Sequence, residues 1–161
     1  MNKAVFLDRD GVLIRERGEY NYLPQHCIIN KGVIEALKFL QSRDFLLVII
    51  SNQSGVAKGV YTIDDVEQLH KKLLSVFEEN GITLSEIYYC PHHPDNGLCL
   101  CRKPLPQMLE KALARFDINS SMSFLIGDAE RDAQAAQAAG VKAVLVEPNA
   151  NLFKEVKKFI P

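Results

Sequence analysis

The chain has no long run of one charge, no apolar stretch approaching the length of a membrane span, no repeat, no low-complexity tract and no linker. With 19 Lys and Arg against 20 Asp and Glu the net charge is −1, so nothing gathers the positive charge that nucleic acid or an anionic membrane would require. The missing long apolar run argues against a spanning helix. The apolar stretch at the N-terminus stops at Asp8, too early for a signal peptide, and the expected location is the cytoplasm, where disulfides are disfavoured. Cysteine is scarce: there are four, and three of them crowd into residues 90–101, which calls for a reason other than oxidative cross-linking. With 161 residues, 47% of them hydrophobic, the expectation is one domain over 1–161 with an adequate core. The modest net charge and the lack of a surplus apolar stripe point to a monomer.

What is present is a regular alternation of short apolar runs and amphipathic stretches. Ala4 to Leu7, Phe45 to Ile50, Glu86 to Tyr89, Ser123 to Ile126 and Val141 to Val146 read as strands. Lys31 to Arg43, the stretch opened by Thr62 and stopped at Gly81, Met108 to Phe116, Glu130 to Ala139 and Leu152 to Phe159 read as helices. Thr62 and Asp65 have the spacing of a capping box. The pattern predicts an α/β, three-layer, Rossmann-like fold with a mainly parallel central sheet and right-handed crossovers. Residues 14–25 are a polar loop, and the segment between the first two strands has no room for a large cap domain. His70, inside the second helix with no metal partner at helical spacing, reads as a packed or surface residue, and Cys27 as a buried apolar one.

Ligands of open α/β sheets bind beyond the carboxyl ends of the strands. The first strand runs directly into Asp8-Arg9-Asp10-Gly11. A turn at the glycine lets both aspartates converge, and two carboxylates in one crevice need a cation, for which Mg²⁺ is the natural choice. Other strand ends and loops supply Ser51, Lys103 ahead of a helix start, and Asp128 with Asp132 one helical turn further on. A second cluster lies in 90–101. Cys90 and His92 are separated by one residue, as are Cys99 and Cys101, with a Pro- and Gly-containing turn between the pairs. Three thiolates and one imidazole fit a closed tetrahedral Zn²⁺ site, which would be structural because no coordination position stays open. His93 could stand in for His92, and free or disulfide-bonded cysteines are the alternative.

The strings Asp8-Arg9-Asp10-Gly11, Ser51, Lys103 and Gly127-Asp128-Ala129-Glu130-Arg131-Asp132 resemble, in that order, the motifs of the haloacid dehalogenase (HAD) superfamily of phosphohydrolases. The resemblance implies that Asp8 is the nucleophile and becomes an aspartyl phosphate, while Asp10 acts as general acid and then general base. It implies Mg²⁺ held by Asp8, the backbone carbonyl of Asp10 and Asp128, with Ser51 and Lys103 stabilising the phosphoryl oxygens. Asp132 would hold Lys103 or a metal-bound water. Ser51-Asn52-Gln53-Ser54-Gly55, Cys90-Pro91-His92-His93-Pro94 and Cys101-Arg102-Lys103-Pro104 are similar to those of a narrower branch, the heptose bisphosphate and histidinol-phosphate phosphatases. Residues 51–59 and 88–94 look more like the heptose side, whose substrate is D-glycero-D-manno-heptose 1,7-bisphosphate, cleaved at carbon 7. The zinc loop is short, closer in length to the histidinol-phosphate relatives, and Ala129 stands where relatives often carry a base. The resemblance implies that Arg102 takes the distal phosphate and that Glu16, Arg17, Gly18, Glu19, Asn52, Gln53 and Ser54 face the sugar. The competing readings are a sugar-phosphate-binding scaffold without turnover and phosphotransfer to an acceptor other than water.

Overall fold

The computed structural model describes all 161 residues. Five strands, β1 (Lys3–Leu7), β2 (Phe45–Asn52), β3 (Glu86–Cys90), β4 (Phe124–Gly127) and β5 (Lys142–Leu145), form one parallel sheet in the order β3-β2-β1-β4-β5. The helices are α1 (Val33–Ser42), α2 (Ile63–Glu79), α3 (Gln107–Arg115), α4 (Glu130–Ala138) and α5 (Leu152–Val156).

Strand periodicity decides the layers. Val5 and Leu7 of β1 join one apolar cluster with residues of α1, α2 and α5, including Leu37, Leu69, Leu73, Phe77 and Val156. Ala4 and Phe6 join the opposite cluster with Met108, Leu109 and Ala112 of α3 and Ala135 and Ala136 of α4. The central strand is therefore covered on both sides, as a parallel sheet demands. No helix is long and apolar enough to cross a membrane.

The expected elements are all present, with several ends shifted. α5 stops at Val156, three residues short of the expected Phe159, and a turn follows. α3 begins at Gln107, so Lys103 is four residues ahead of it and does not abut a helix start. Pro104 and Pro106 lie between, and a turn closed by Leu105 N–H to the Arg102 carbonyl (2.8 Å) fills the gap. The capping box forms as read: Thr62 Oγ1 accepts from Asp65 N–H (3.1 Å) and the Asp65 carboxylate accepts from Thr62 N–H (2.8 Å). His70 is packed inside, whereas Cys27 is half-buried and lies at the margin of the core.

The topology sets the site. β1 sits at the centre with β2 on one side and β4 on the other, so the chain leaves it in a crevice at the point where strand order reverses. Leu7 pairs with Ile49 and Ile126, which brings the ends of β1, β2 and β4 to one level. Asp8, Ser51 and Asp128 are delivered there together.

Candidate active site and metal centre

Asp8, Asp10, Asn52, Lys103, Asp128 and Arg131 are among the residues lining a polar cavity of about 180 Å³ at the carboxyl ends of the strands. Lys103 is 1% exposed, and its ammonium lies 3.0 Å from Asp8 Oδ1 and 2.6 Å from Asp132 Oδ1 and donates to the Ile50 carbonyl at 2.9 Å. Asp132 is fully buried, and its second oxygen accepts from Ala129 N–H (3.1 Å). Asp132 thus clamps Lys103, one of the two roles read for it. The side chain of Asn52 spans the Lys103 peptide: Oδ1 accepts from Lys103 N–H (3.0 Å) and Nδ2 donates to the Lys103 carbonyl (3.1 Å). Both ends of the Asn52 amide hold the Lys103 peptide, so Asn52 aims the lysine from a position that also lines the cavity.

Asp10 is held by a shell of donors. Arg9, buried at 0% exposure, reaches it through Nε and Nη2 (3.0–3.3 Å). Asn21 donates to Oδ1 (2.9 Å) and Gln53 to Oδ2 (3.1 Å). Gln53 is also buried. Its amide nitrogen donates to Ser51 Oγ (2.7 Å), and its oxygen accepts from Arg9 (3.0 Å) and Tyr61 (2.7 Å). Gln53, read as a sugar contact, lines the cavity while its side chain is hydrogen-bonded to Asp10, Ser51, Arg9 and Tyr61. Ser51 lies beneath the cavity floor, accepting from Gln53 with its hydroxyl proton left to donate.

Of the other positions read as sugar contacts, Glu16, Glu19 and Ser54 line the cavity, and so does Arg102, read for the distal phosphate. Arg17 and Gly18 line an adjoining hollow of about 580 Å³ with Tyr20, Tyr22 and His26. Sequence reasoning missed Arg9, Asn21, Tyr61 and Arg131. Arg9 lay in plain view between the aspartates. Arg131 falls two residues after Ala129 and adds a cation to the rim that Ala129 does not supply.

The electrostatics are those of an overcrowded anionic pocket. Burial pushes the Asp8 carboxyl up to about 7; Lys103 pulls it down, and Asp132 and Asp10 push it up again. Burial and then Asp132 raise Asp128, against Arg131 and Lys103. Lys103 is held charged, since its two carboxylate partners outweigh burial. Carboxylate oxygens of Asp8, Asp128 and Asp132 all lie within 4.8 Å of one another. Asp132 is already occupied by Lys103 and a backbone N–H, which leaves Asp8 and Asp128 to share a cation. A Cβ at Gly11, whose φ is +86°, would overlap the Asp128 carboxylate, so glycine keeps that approach open. This donor set fits a hard, oxygen-loving divalent ion.

The second cluster forms on the loop after β3. Cys90 Sγ is 3.4 Å from His92 Nδ1, 3.7 Å from Cys99 Sγ and 3.0 Å from Cys101 Sγ, and His92 Nδ1 is 3.2 Å from Cys101 Sγ. No disulfide forms. Burial raises the Cys90 thiol, and burial likewise leads the rise of Cys101. The Cys99 thiol is lowered despite burial, because backbone N–H groups at Arg102 and Cys101 favour its thiolate. One ligand atom from each of the four lies within 4.8 Å of the others, close enough to share a single metal ion, and the donor set suits zinc. His93 is turned away: its Nδ1 accepts from Asp95 N–H (3.1 Å).

A HAD-hydrolase-like family model matches residues 100–159. The D-glycero-beta-D-manno-heptose-1,7-bisphosphate 7-phosphatase of Pasteurella multocida is 38% identical, covering 98% of this chain and 89% of its own length. The enzyme of that name from Helicobacter pylori (strain ATCC 700392 / 26695) is 42% identical over 88% of this chain and 81% of its own. The crystal structure of D,D-heptose 1,7-bisphosphate phosphatase from B. bronchiseptica, complexed with magnesium and phosphate, superposes with a TM-score of 0.85 at 34% identity, covering 97% of this chain and 86% of that one.

Proposed function

Because the chain belongs to the D-glycero-β-D-manno-heptose-1,7-bisphosphate 7-phosphatase family of HAD-like phosphatases, we propose that it removes the phosphate on carbon 7 of D-glycero-β-D-manno-heptose 1,7-bisphosphate by way of an aspartyl phosphate on Asp8. The observation that carries this reading is the convergence of Asp8, Asp10, Lys103 and Asp128 on one polar cavity, with Asp132 beneath clamping Lys103.

Asp8 attacks phosphorus; its Oδ–P bond forms as the bond from phosphorus to the sugar oxygen breaks, and Asp10 delivers a proton to that oxygen. Asp10 then takes a proton from water as the water oxygen bonds phosphorus and the Asp8 Oδ–P bond breaks. Lys103 neutralises phosphoryl charge from a position fixed by Asp132 and Asn52, and the Ser51 hydroxyl donates to a phosphoryl oxygen. Mg²⁺, which Asp8, Asp128 and the Asp10 carbonyl would hold, supplies the charge compensation that lets a carboxylate approach an anionic ester. Cys90, His92, Cys99 and Cys101 would hold Zn²⁺ and so fix the loop that runs directly into Arg102 and Lys103. Arg102 and Arg131 on the rim suit the distal phosphate, which needs its own cations.

A kinetic panel tests the proposal: both anomers of the heptose bisphosphate, histidinol phosphate and simple sugar phosphates, with and without Mg²⁺. The β anomer should be hydrolysed with the highest kcat/KM, and only with Mg²⁺. A preference for histidinol phosphate would overturn the substrate and leave the reaction class; binding without phosphate release would overturn both.

A further inference from the structure

We propose that His70 is a positioning residue for proton transfer in this reaction, fixing through Arg9 the carboxyl group of Asp10. This rests on Asp10 being the general acid of the proposed reaction. Arg9 is buried at 0% exposure, and a guanidinium in that position needs an acceptor for each of its donors. Its Nε and Nη2 fork the two oxygens of Asp10, and Nη2 also meets the Asn21 carbonyl (2.8 Å) and Gln53 Oε1 (3.0 Å). The remaining nitrogen, Nη1, faces away from this group, and its partner is His70 Nε2 at 3.2 Å.

Arginine has no acceptor, so the hydrogen bond defines the histidine: Nε2 is unprotonated and accepts, and the ring proton is on Nδ1. Burial, and next the Arg9 charge, hold the imidazole neutral, with its pKa pulled down to about 3. His70 comes from α2, whose Leu69, Leu73 and Phe77 are in the core, and its ring packs edge-on against Tyr89 with centroids 5.4 Å apart. The guanidinium plane is thereby pinned at one end by a helix that contributes nothing to the cavity lining, and at the other end it sets both oxygens of Asp10. Without an acceptor at residue 70, Nη1 must turn to find one, and the fork on Asp10 turns with it.

The test compares leaving groups. An alkyl phosphate needs a proton from Asp10 to depart, whereas p-nitrophenyl phosphate releases a stable phenolate without one, and kcat/KM reports the steps through the first bond cleavage. His70→Leu should lower kcat/KM for the heptose bisphosphate about tenfold, through kcat with KM held, and lower it for p-nitrophenyl phosphate by less than about twofold. His70→Gln, whose amide oxygen can accept from Arg9, should return the bisphosphate rate to within about threefold of wild type. Should His70→Leu not fold, His70→Met, flexible and without a comparable acceptor, takes its place. Equal losses on both substrates, no loss on the bisphosphate, or a His70→Gln enzyme no better than His70→Leu would overturn the proposal. A wild-type enzyme inactive on the heptose bisphosphate would instead overturn the substrate assignment, and the comparison is then made on the alkyl phosphate of the panel that it does hydrolyse.

Discussion

Lys103→Met removes one charge and little volume, and the structure indicates how much that charge supports. The ammonium is 3.0 Å from Asp8 and 2.6 Å from Asp132, and Lys103 and Asp132 are at most 1% exposed. Removing it strands two buried carboxylates within 4.8 Å of each other. Breaking a buried pair from one side costs about 3–5 kcal/mol, against a total stability of roughly 5–15 kcal/mol for a domain. With a urea slope of about 2 kcal/mol/M, the unfolding midpoint should fall by roughly 2 M in buffer without Mg²⁺. The carboxyl of Asp8, which burial already pushes up to about 7, would rise further, and loss of phosphoryl stabilisation should cut kcat by about 10²–10³. Adding Asp132→Asn removes one of the stranded charges, so the double variant should regain about 1–3 kcal/mol over Lys103→Met while staying inactive. A single variant with the wild-type midpoint, or a double variant whose loss is the sum of the two singles, would refute the charge balance described here.

Three further outcomes follow from other parts of the molecule. Protein made without chelator should carry about one zinc per chain, and Cys99→Ser should lose it together with stability and activity; metal analysis showing no zinc in the wild type would defeat the closed-site reading. Gly127→Ala places a Cβ on top of the Asp132 side chain at a position with no backbone strain, so it should cost about 1–3 kcal/mol in urea unfolding and reduce kcat by displacing Asp132 from Lys103. His70 is neutral when folded down to about pH 3 but binds a proton below about 6.5 when unfolded, so it contributes a loss of stability as pH falls from 6.5 towards 3 and none above that window. His70→Gln should therefore flatten the acid limb of a stability–pH curve by up to ~1.4 kcal/mol per pH unit, and an unchanged limb would contradict the buried neutral state.

The layers and the parallel sheet were legible because periodicity is strong here. β1 and β2 are nearly unbroken apolar runs, and α2 declares its start through Thr62 and Asp65. The cluster of Cys90, His92, Cys99 and Cys101 was legible as two close pairs, but the choice between His92 and His93 was not; it depends on which side chain Asp95 engages. The supporting hydrogen bonds of Arg9, Asn52 and Gln53 were not legible, for one reason. Sequence places polar residues in a motif loop, and only coordinates show which site residues each of them hydrogen-bonds. Lys103 was placed too near a helix start because two prolines, three and one residues ahead of its true N-terminus at Gln107, blur the boundary. His70 gave no signal at all, since its partner Arg9 lies 61 residues away.

The most direct measurement is to quench the enzyme in acid during turnover of the heptose bisphosphate and map the modified peptide by mass spectrometry. The account predicts the added mass of one phosphoryl group on Asp8, absent in Asp8→Asn, which should also release no phosphate. A phosphoryl group on another side chain, or full turnover by Asp8→Asn, would contradict it.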